Sequence, residues 1–306
     1  MIEKIVGRHD ADQRLDRWLR KAFPLASLSS LFAVIRKKKI RVNGKPGKGT
    51  ETVNAGDVIC IYENIPEAPA NMYEKKAVVQ VDSRIVIVSR TADYLVLDKP
   101  AGLASQPGTN QQPGDSLIEL VWNWAEYEGL DFKPALVHRL DQETSGLIIA
   151  GLTGEAVRTF NALIRAHKVR KEYVALVNGY LEEPKGTIRL ALERTDSAQG
   201  AKMEAGQGKD SVTHYQVIRQ VGNCSLVRIT LETGRMHQIR AHFAAIGHAL
   251  IGDGRYGDFA LNREFRKSHG LKRLFLHSAL LDFQWKGKRI QIERELPAEL
   301  QKVLTD

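Results

Sequence analysis

The chain has 306 residues, 43% hydrophobic and 26% charged, a balance that fits a globular protein of two domains and excludes a disordered or fibrous one. No apolar stretch reaches the roughly 18 residues that span a bilayer. The N-terminal MIEKIVGRHDADQRL lacks the apolar run of a secretion signal, so a cytoplasmic protein is expected. A net charge of +9, from 45 basic and 36 acidic residues, suits a polyanionic partner, most simply nucleic acid.

In QRLDRWLRKAF, residues 13 to 23, Leu15, Trp18, Leu19, Ala22 and Phe23 fall at helical spacing, with Arg14, Arg17, Arg20 and Lys21 on the other face. Pro24 ends that helix. Ser29 or Ser30 is expected to cap a second helix with Leu31, Val34 and Ile35 inward. IRVNGK then reads as a strand entering an Asn-Gly turn, and GDVICIY as another strand. Between Arg14 and Lys48 stand eleven basic residues and one acid, Asp16, a local charge of +10. Charge concentrated this way reads as a polyanion footprint rather than general solubility.

NIPEAPANMYEKKA carries two prolines and reads as a linker. RIVIVS and YLVLDK are expected strands, with Pro100 and Gly102 marking the turn after them. Asp115 or Ser116 starts a helix through Leu117, Leu120, Val121 and Trp124. LIIAGL is a buried strand, and Gly151 inside it suggests a bulge. A helix with Val157, Phe160 and Ile164 on one side follows. EYVALVNG and SLVRITLE are strands, separated in part by a loose stretch, SAQGAKMEAGQGKDS. After residue 234 a helix is expected with Ile239, Phe243 and Ile246 inward and Gly247 as its stop. Helices and strands alternate without a βαβ rhythm, so the class expected is α+β with a mixed or antiparallel sheet.

Several chemistries are disfavoured. GDGRYG matches G-x-G-x-x-G, but only a short strand at best, HALI, precedes it and DFALNREF follows with no βαβ unit, so it reads as a glycine-rich turn. His237 and His242 are five apart, on different helix faces, and with His248 they form no metal spacing; hydrogen-bonded or solvent histidines are the plainer reading. Cys60 and Cys224 are too few for a disulfide framework. No P-loop, GxSxG or Cys/His nucleophile pattern occurs. What remains is Asp141 in HRLDQETSGL. An aspartate in a turn is usually structural. Here it stands beside Arg139, in a chain that also offers Tyr173 among cations and Arg235 with Arg240 in one element. A carboxylate kept ionised in a cleft needs a cation beside it. An aromatic ring can stack on a nucleobase.

HRLDQETSGL resembles the HRLD-x-x-TSGL signature of the RluA family of pseudouridine synthases, with every fixed position present. KPAG, KEYVALV and TGRMHQIRAH are similar to that family's other motifs, from about Arg84 to Leu281. Met236 departs from the usual Thr or Ser, and Gln142 and Glu143 fill variable positions. The first unit is similar to the S4 RNA-binding module. The resemblance implies an S4-like domain at 1–70 with its core at 13–62, a linker at 71–84, and a catalytic domain at 85–306. It implies an isomerase that turns uridine into pseudouridine without cofactor or metal, acting as a monomer. Asp141 is then the catalytic aspartate, Tyr173 the residue stacking on the target base, Arg240 the salt-bridge partner of Asp141, and Arg139 the side chain that replaces the flipped base. Lys171 and Arg235, and in the first domain Arg14, Arg17, Arg36, Lys37, Lys38, Lys39 and Arg41, are expected RNA contacts. The stretch RYGDFALNREFRKSHGLKRLFLHSALL resembles members that act on 23S rRNA, the expected substrate. The alternatives are tRNA or other rRNA uridines, or a non-catalytic ribosome-assembly factor.

Overall fold

Apolar periodicity decides where most elements form. The computed structural model describes residues 1–7, 10–23, 26, 28–63, 65, 82–108, 114–197 and 200–305. It separates into two units, Met1–Gln80 and Val81–Asp306. The expected linker at 71–84 lies, as far as residue 81, outside the described residues, and so does Pro24.

In the first unit the helix Leu15–Ala22 buries Leu15, Trp18 and Leu19 while Arg17, Arg20 and Lys21 stay exposed, as a 3.6-residue period requires. The second helix, Leu28–Arg36, begins earlier than expected. Ser29 and Ser30 therefore lie within its first turn and do not precede it. Leu31 and Val34 are buried and Ile35 partly so. These helices share a core with a four-stranded antiparallel sheet ordered Ile2–Ile5, Val58–Ile61, Ile40–Val42, Lys45–Pro46. Asn43 and Gly44, both at positive φ, make the expected hairpin turn.

The second unit is α+β, built on one ten-stranded mixed sheet. Its main path runs Lys185–Arg189, Val212–Val221, Cys224–Leu231, Val169–Asn178, Leu276–Trp285, Ser145–Gly151, Tyr94–Lys99, Val86–Arg90. Strand Lys288–Glu293 flanks Leu276–Trp285, and Ala135–Leu136 flanks Ser145–Gly151. Every pair is antiparallel except Ser145–Gly151 with Leu276–Trp285. Alternate side chains go to opposite faces. Leu95, Leu97, Ile148 and Ala150 join a core with the helix Leu117–Tyr127 and Phe243. Tyr94, Val96, Leu147 and Ile149 join another around Phe160 of the helix Gly154–Arg165. Phe160 stacks on Trp285 at 4.5 Å and meets Tyr94 edge-on at 5.3 Å.

Three expectations are corrected. Part of the stretch expected to be loose is ordered: Gly200–Ala205 pairs with Leu192–Ser197 as a β-hairpin. Gly151 marks no bulge, because the pairing to Tyr94 and Ala135 runs through it in register. A Cβ there would lie 2.6 Å from Val157 Cγ2, so glycine is required for close approach of the following helix. Ile246 does not point inward: the helix Gln238–Ala245 ends before it, and the residue is 37% exposed.

Candidate active site

HRLDQET forms the loop that leads into the Ser145–Gly151 strand, and three local devices fix it. Ser105 Oγ donates to Leu140 O at 2.6 Å and accepts from Leu140 N at 3.0 Å. Gly102 N donates to Gln142 O at 2.9 Å, and Gln142 Nε2 donates back to Gly102 O at 3.0 Å. The ammonium of Lys99, with no exposed surface, donates to the carbonyls of Leu103, Pro100 and Gln142 at 2.6, 2.9 and 3.0 Å. Burial, and then the charge of Arg273, pull the Lys99 pKa down to about 7. The KPAG turn and the loop carrying Asp141 are thus zipped together. Downstream, Gly146 has φ +108, and a Cβ there would lie 2.3 Å from Ser278 O. Only glycine can start the parallel pairing at that point.

The loop presents Asp141 where two cavities of about 590 Å³ each meet. Volumes of this size suit a nucleotide-sized ligand. Arg139, Asp141, His237 and Arg240 line both. Tyr173, Lys171 and Arg235 line the first, where the Tyr173 ring is 6% exposed. Burial first, and the charge of Asp141 second, raise the Tyr173 phenol, which therefore keeps its proton. Burial lowers Lys171. Burial and the Lys171 charge push His138 down to about 3, so that ring is neutral. Arg139 and Arg235 are exposed at the cavity mouth.

Arg240 Nη1 lies 3.7 Å from Asp141 Oδ2, so the expected pair is formed, but this is the guanidinium's weaker contact. Its Nε and Nη2 fork onto Asp253 at 2.7 and 2.8 Å. Asp253 has no exposed surface and also accepts the backbone N–H groups of Arg255 and Tyr256 at 2.8 and 3.0 Å. Burial opposes the charge of Asp253, yet Arg240 and these amides outweigh it and hold the carboxyl below its ordinary value. Burial likewise opposes the charge of Arg240, and Asp253 followed by Asp141 raises its pKa nonetheless. The result is a fixed cation with one free edge toward Asp141.

Sequence reasoning missed Asp253 and Tyr256, both inside GDGRYG, which was read only as a turn. A charged residue between two glycines, in a turn outside any βαβ unit, was the available signal. His237 was read as a hydrogen-bonded or solvent histidine. Its Nε2 lies 3.9 Å from Asp141 Oδ2 and its Nδ1 3.0 Å from Tyr256 Oη. Arg14, Arg17, Arg36, Lys37, Lys38, Lys39 and Arg41 belong to the first unit and are all exposed, with Arg14 paired to Asp16 and Lys37 to Glu63.

A model of the RNA pseudouridylate synthase family matches residues 93–245, half of the chain, including the HRLD loop, Tyr173 and Arg240. The chain belongs to that family. The synthase is 30% identical over 304 residues to a Vibrio cholerae protein named ribosomal large subunit pseudouridine synthase C, covering 96% of this chain and 93% of that one. Its identity to the Escherichia coli protein of the same name is 32% over 299 residues, covering 95% and 91%. Among solved structures, the human RNA pseudouridylate synthase domain containing 1 superposes with a TM-score of 0.57 at 26% identity, over 72% of this chain and 87% of that one.

Proposed function

We propose that this synthase isomerises uridine to pseudouridine in 23S rRNA of the large ribosomal subunit, with Asp141 as the catalytic carboxylate. The observation that carries the chemistry is Asp141 at the junction of two cavities, with the free edge of a fixed guanidinium 3.7 Å away. The near full-length relatives named for the large subunit support the substrate.

The N1–C1′ bond of uridine breaks, the uracil turns, C5 bonds to C1′, and the proton on C5 is released as N1 gains one. No electron enters or leaves and no energy carrier is spent, so no cofactor is needed. The base cannot turn within a stack, and unstacking it costs on the order of a few kcal/mol. Arg139, exposed at the mouth, fills the vacated place. Tyr173 gives the extruded uracil an aromatic face. Asp141 acts as nucleophile at C1′ or as base at the ribose. In either role its charge is what reacts, and the Arg240 guanidinium faces it at 3.7 Å. Lys171 and Arg235 steer phosphates at the rim. The first unit is an S4-like RNA-binding domain, and the protein works as a cytoplasmic monomer.

Asp141→Asn keeps the shape and removes the charge. RNA binding should persist while tritium release from 5-³H-uridine-labelled 23S rRNA falls by orders of magnitude. Release at the wild-type rate would overturn the assignment. Release from tRNA but not from 23S rRNA by the wild-type protein would overturn the substrate.

A further inference from the structure

His237 stands at the start of the helix Gln238–Ala245 with φ +51, a left-handed backbone that costs a non-glycine residue about 1–2 kcal/mol. Such a conformation persists where the surroundings hold it, and here they hold the ring between two partners. Nε2 lies 3.9 Å from Asp141 Oδ2. Nδ1 lies 3.0 Å from Tyr256 Oη. That oxygen also accepts the backbone N–H of Met203 at 2.8 Å, on the Gly200–Ala205 strand of the hairpin.

The proton positions follow from the partners. Met203 N–H can only donate. Burial raises the Tyr256 phenol, so it keeps its own proton. That proton has one acceptor among the contacts of the phenol oxygen, His237 Nδ1. Nδ1 must then be bare, and the ring hydrogen sits on Nε2, facing the carboxylate. The charged groups around the ring are Asp141, Asp253, Arg240 and Arg255. Burial, with the two arginines, lowers His237 against the pull of Asp141, so the ring is neutral at physiological pH. Lys202 and Arg240 lie 5.2 and 5.1 Å from the Tyr256 ring centre and steady its position.

We propose that His237 is a positioning residue for Asp141, its Nε2–H tautomer fixed by Tyr256, which the 192–205 hairpin holds through Met203. A neutral donor beside the fixed guanidinium defines the rotamer of the carboxylate without adding a second cation. At 3.9 Å the contact is about one ångström short of a hydrogen bond, and contacts of this kind tighten when substrate fills the cleft. The inference rests on Asp141 being the catalytic carboxylate.

The test uses full-length protein labelled with ¹⁵N-histidine. A long-range ¹H–¹⁵N correlation spectrum reads each ring's tautomer, and the signal lost in His237→Gln assigns His237. The wild-type ring should be the Nε2–H form, and Tyr256→Phe should release it into a mixture of tautomers. An Nδ1–H ring in the wild type, or a tautomer unchanged in Tyr256→Phe, would overturn the proposal. Activity gives a second readout that a merely structural role would not move. Glutamine places an amide N–H near the Nε2 position and asparagine near Nδ1. His237→Gln should therefore turn over about tenfold faster than His237→Asn at equal KM, the worth of one hydrogen bond. Equal kcat in the two variants would also overturn it. If Asp141→Asn stays active while the tautomer is as expected, the catalytic reading fails and the histidine lock stands.

Discussion

Arg240 serves two carboxylates unequally, and this sets what each can do. Asp253 takes the two-pronged contact inside the protein, and Asp141 takes the remaining edge at the cavity. Asp253→Asn would leave Arg240 buried without its counter-ion, which costs about 3–5 kcal/mol. Denaturant midpoint and tritium release should fall together, because the loosened guanidinium no longer faces Asp141. Unchanged turnover per folded molecule would show that Asp253 serves stability alone. The stabilisation from Asp253 has a definite pH window. Its folded pKa is below the ordinary 3.8, so the contribution is complete above that value and is lost as pH falls through the lower folded pKa. Asp141, Tyr173 and Arg240 were legible because their motifs are local runs. Asp253 was not, because its partner lies 13 residues away across a turn and no periodicity links them.

A single buried lysine joins two elements, the KPAG turn and the loop that carries Asp141. Lys99→Met fits the space but takes a donor from three carbonyls, of which Gln142 O keeps the Gly102 N–H, at a cost of about 3 kcal/mol. The loop loses one of its three ties at Gln142, so turnover should fall as well. The sign of the pH effect is specific. Folded Lys99 gives up its proton near pH 7, and the unfolded chain holds it up to about 10.5. Across that interval the unfolded state binds more protons, so the wild type should gain stability over Lys99→Met as pH rises, on the order of 1 kcal/mol per pH unit. A difference independent of pH would show that the lysine stays charged throughout. Elements with an apolar stripe, such as Leu117–Tyr127 and Ser145–Gly151, were legible in the sequence. The 192–205 hairpin was not. It buries only Leu192 and Met203 among its apolar residues whose side chains are described, and polar strands carry no period-two signal.

At the scale of the whole molecule, charge and chemistry are divided between units. The segment from Arg14 to Lys48 carries a local +10, more than the net +9 of the chain, while Asp141, Tyr173 and Arg240 all belong to the Val81–Asp306 unit. The concentration was visible in composition, but which charges are exposed and which are paired required the fold. Arg36, Lys38, Lys39 and Arg41 are exposed, whereas Lys37 is tied to Glu63. Replacing those four with glutamine should leave the core of the first unit intact, since none of them enters it. Each phosphate contact contributes about 0.7–0.9 to the slope of log affinity against log salt, so losing four should lower that slope by about 3. Binding to 23S rRNA should weaken most at low salt, where counterion release is worth most. Turnover at saturating RNA should stay near wild type, because the reacting groups are untouched. An unchanged salt slope would mean that this surface meets no phosphates. A fall in saturating turnover would mean that the first unit also shapes the chemical step.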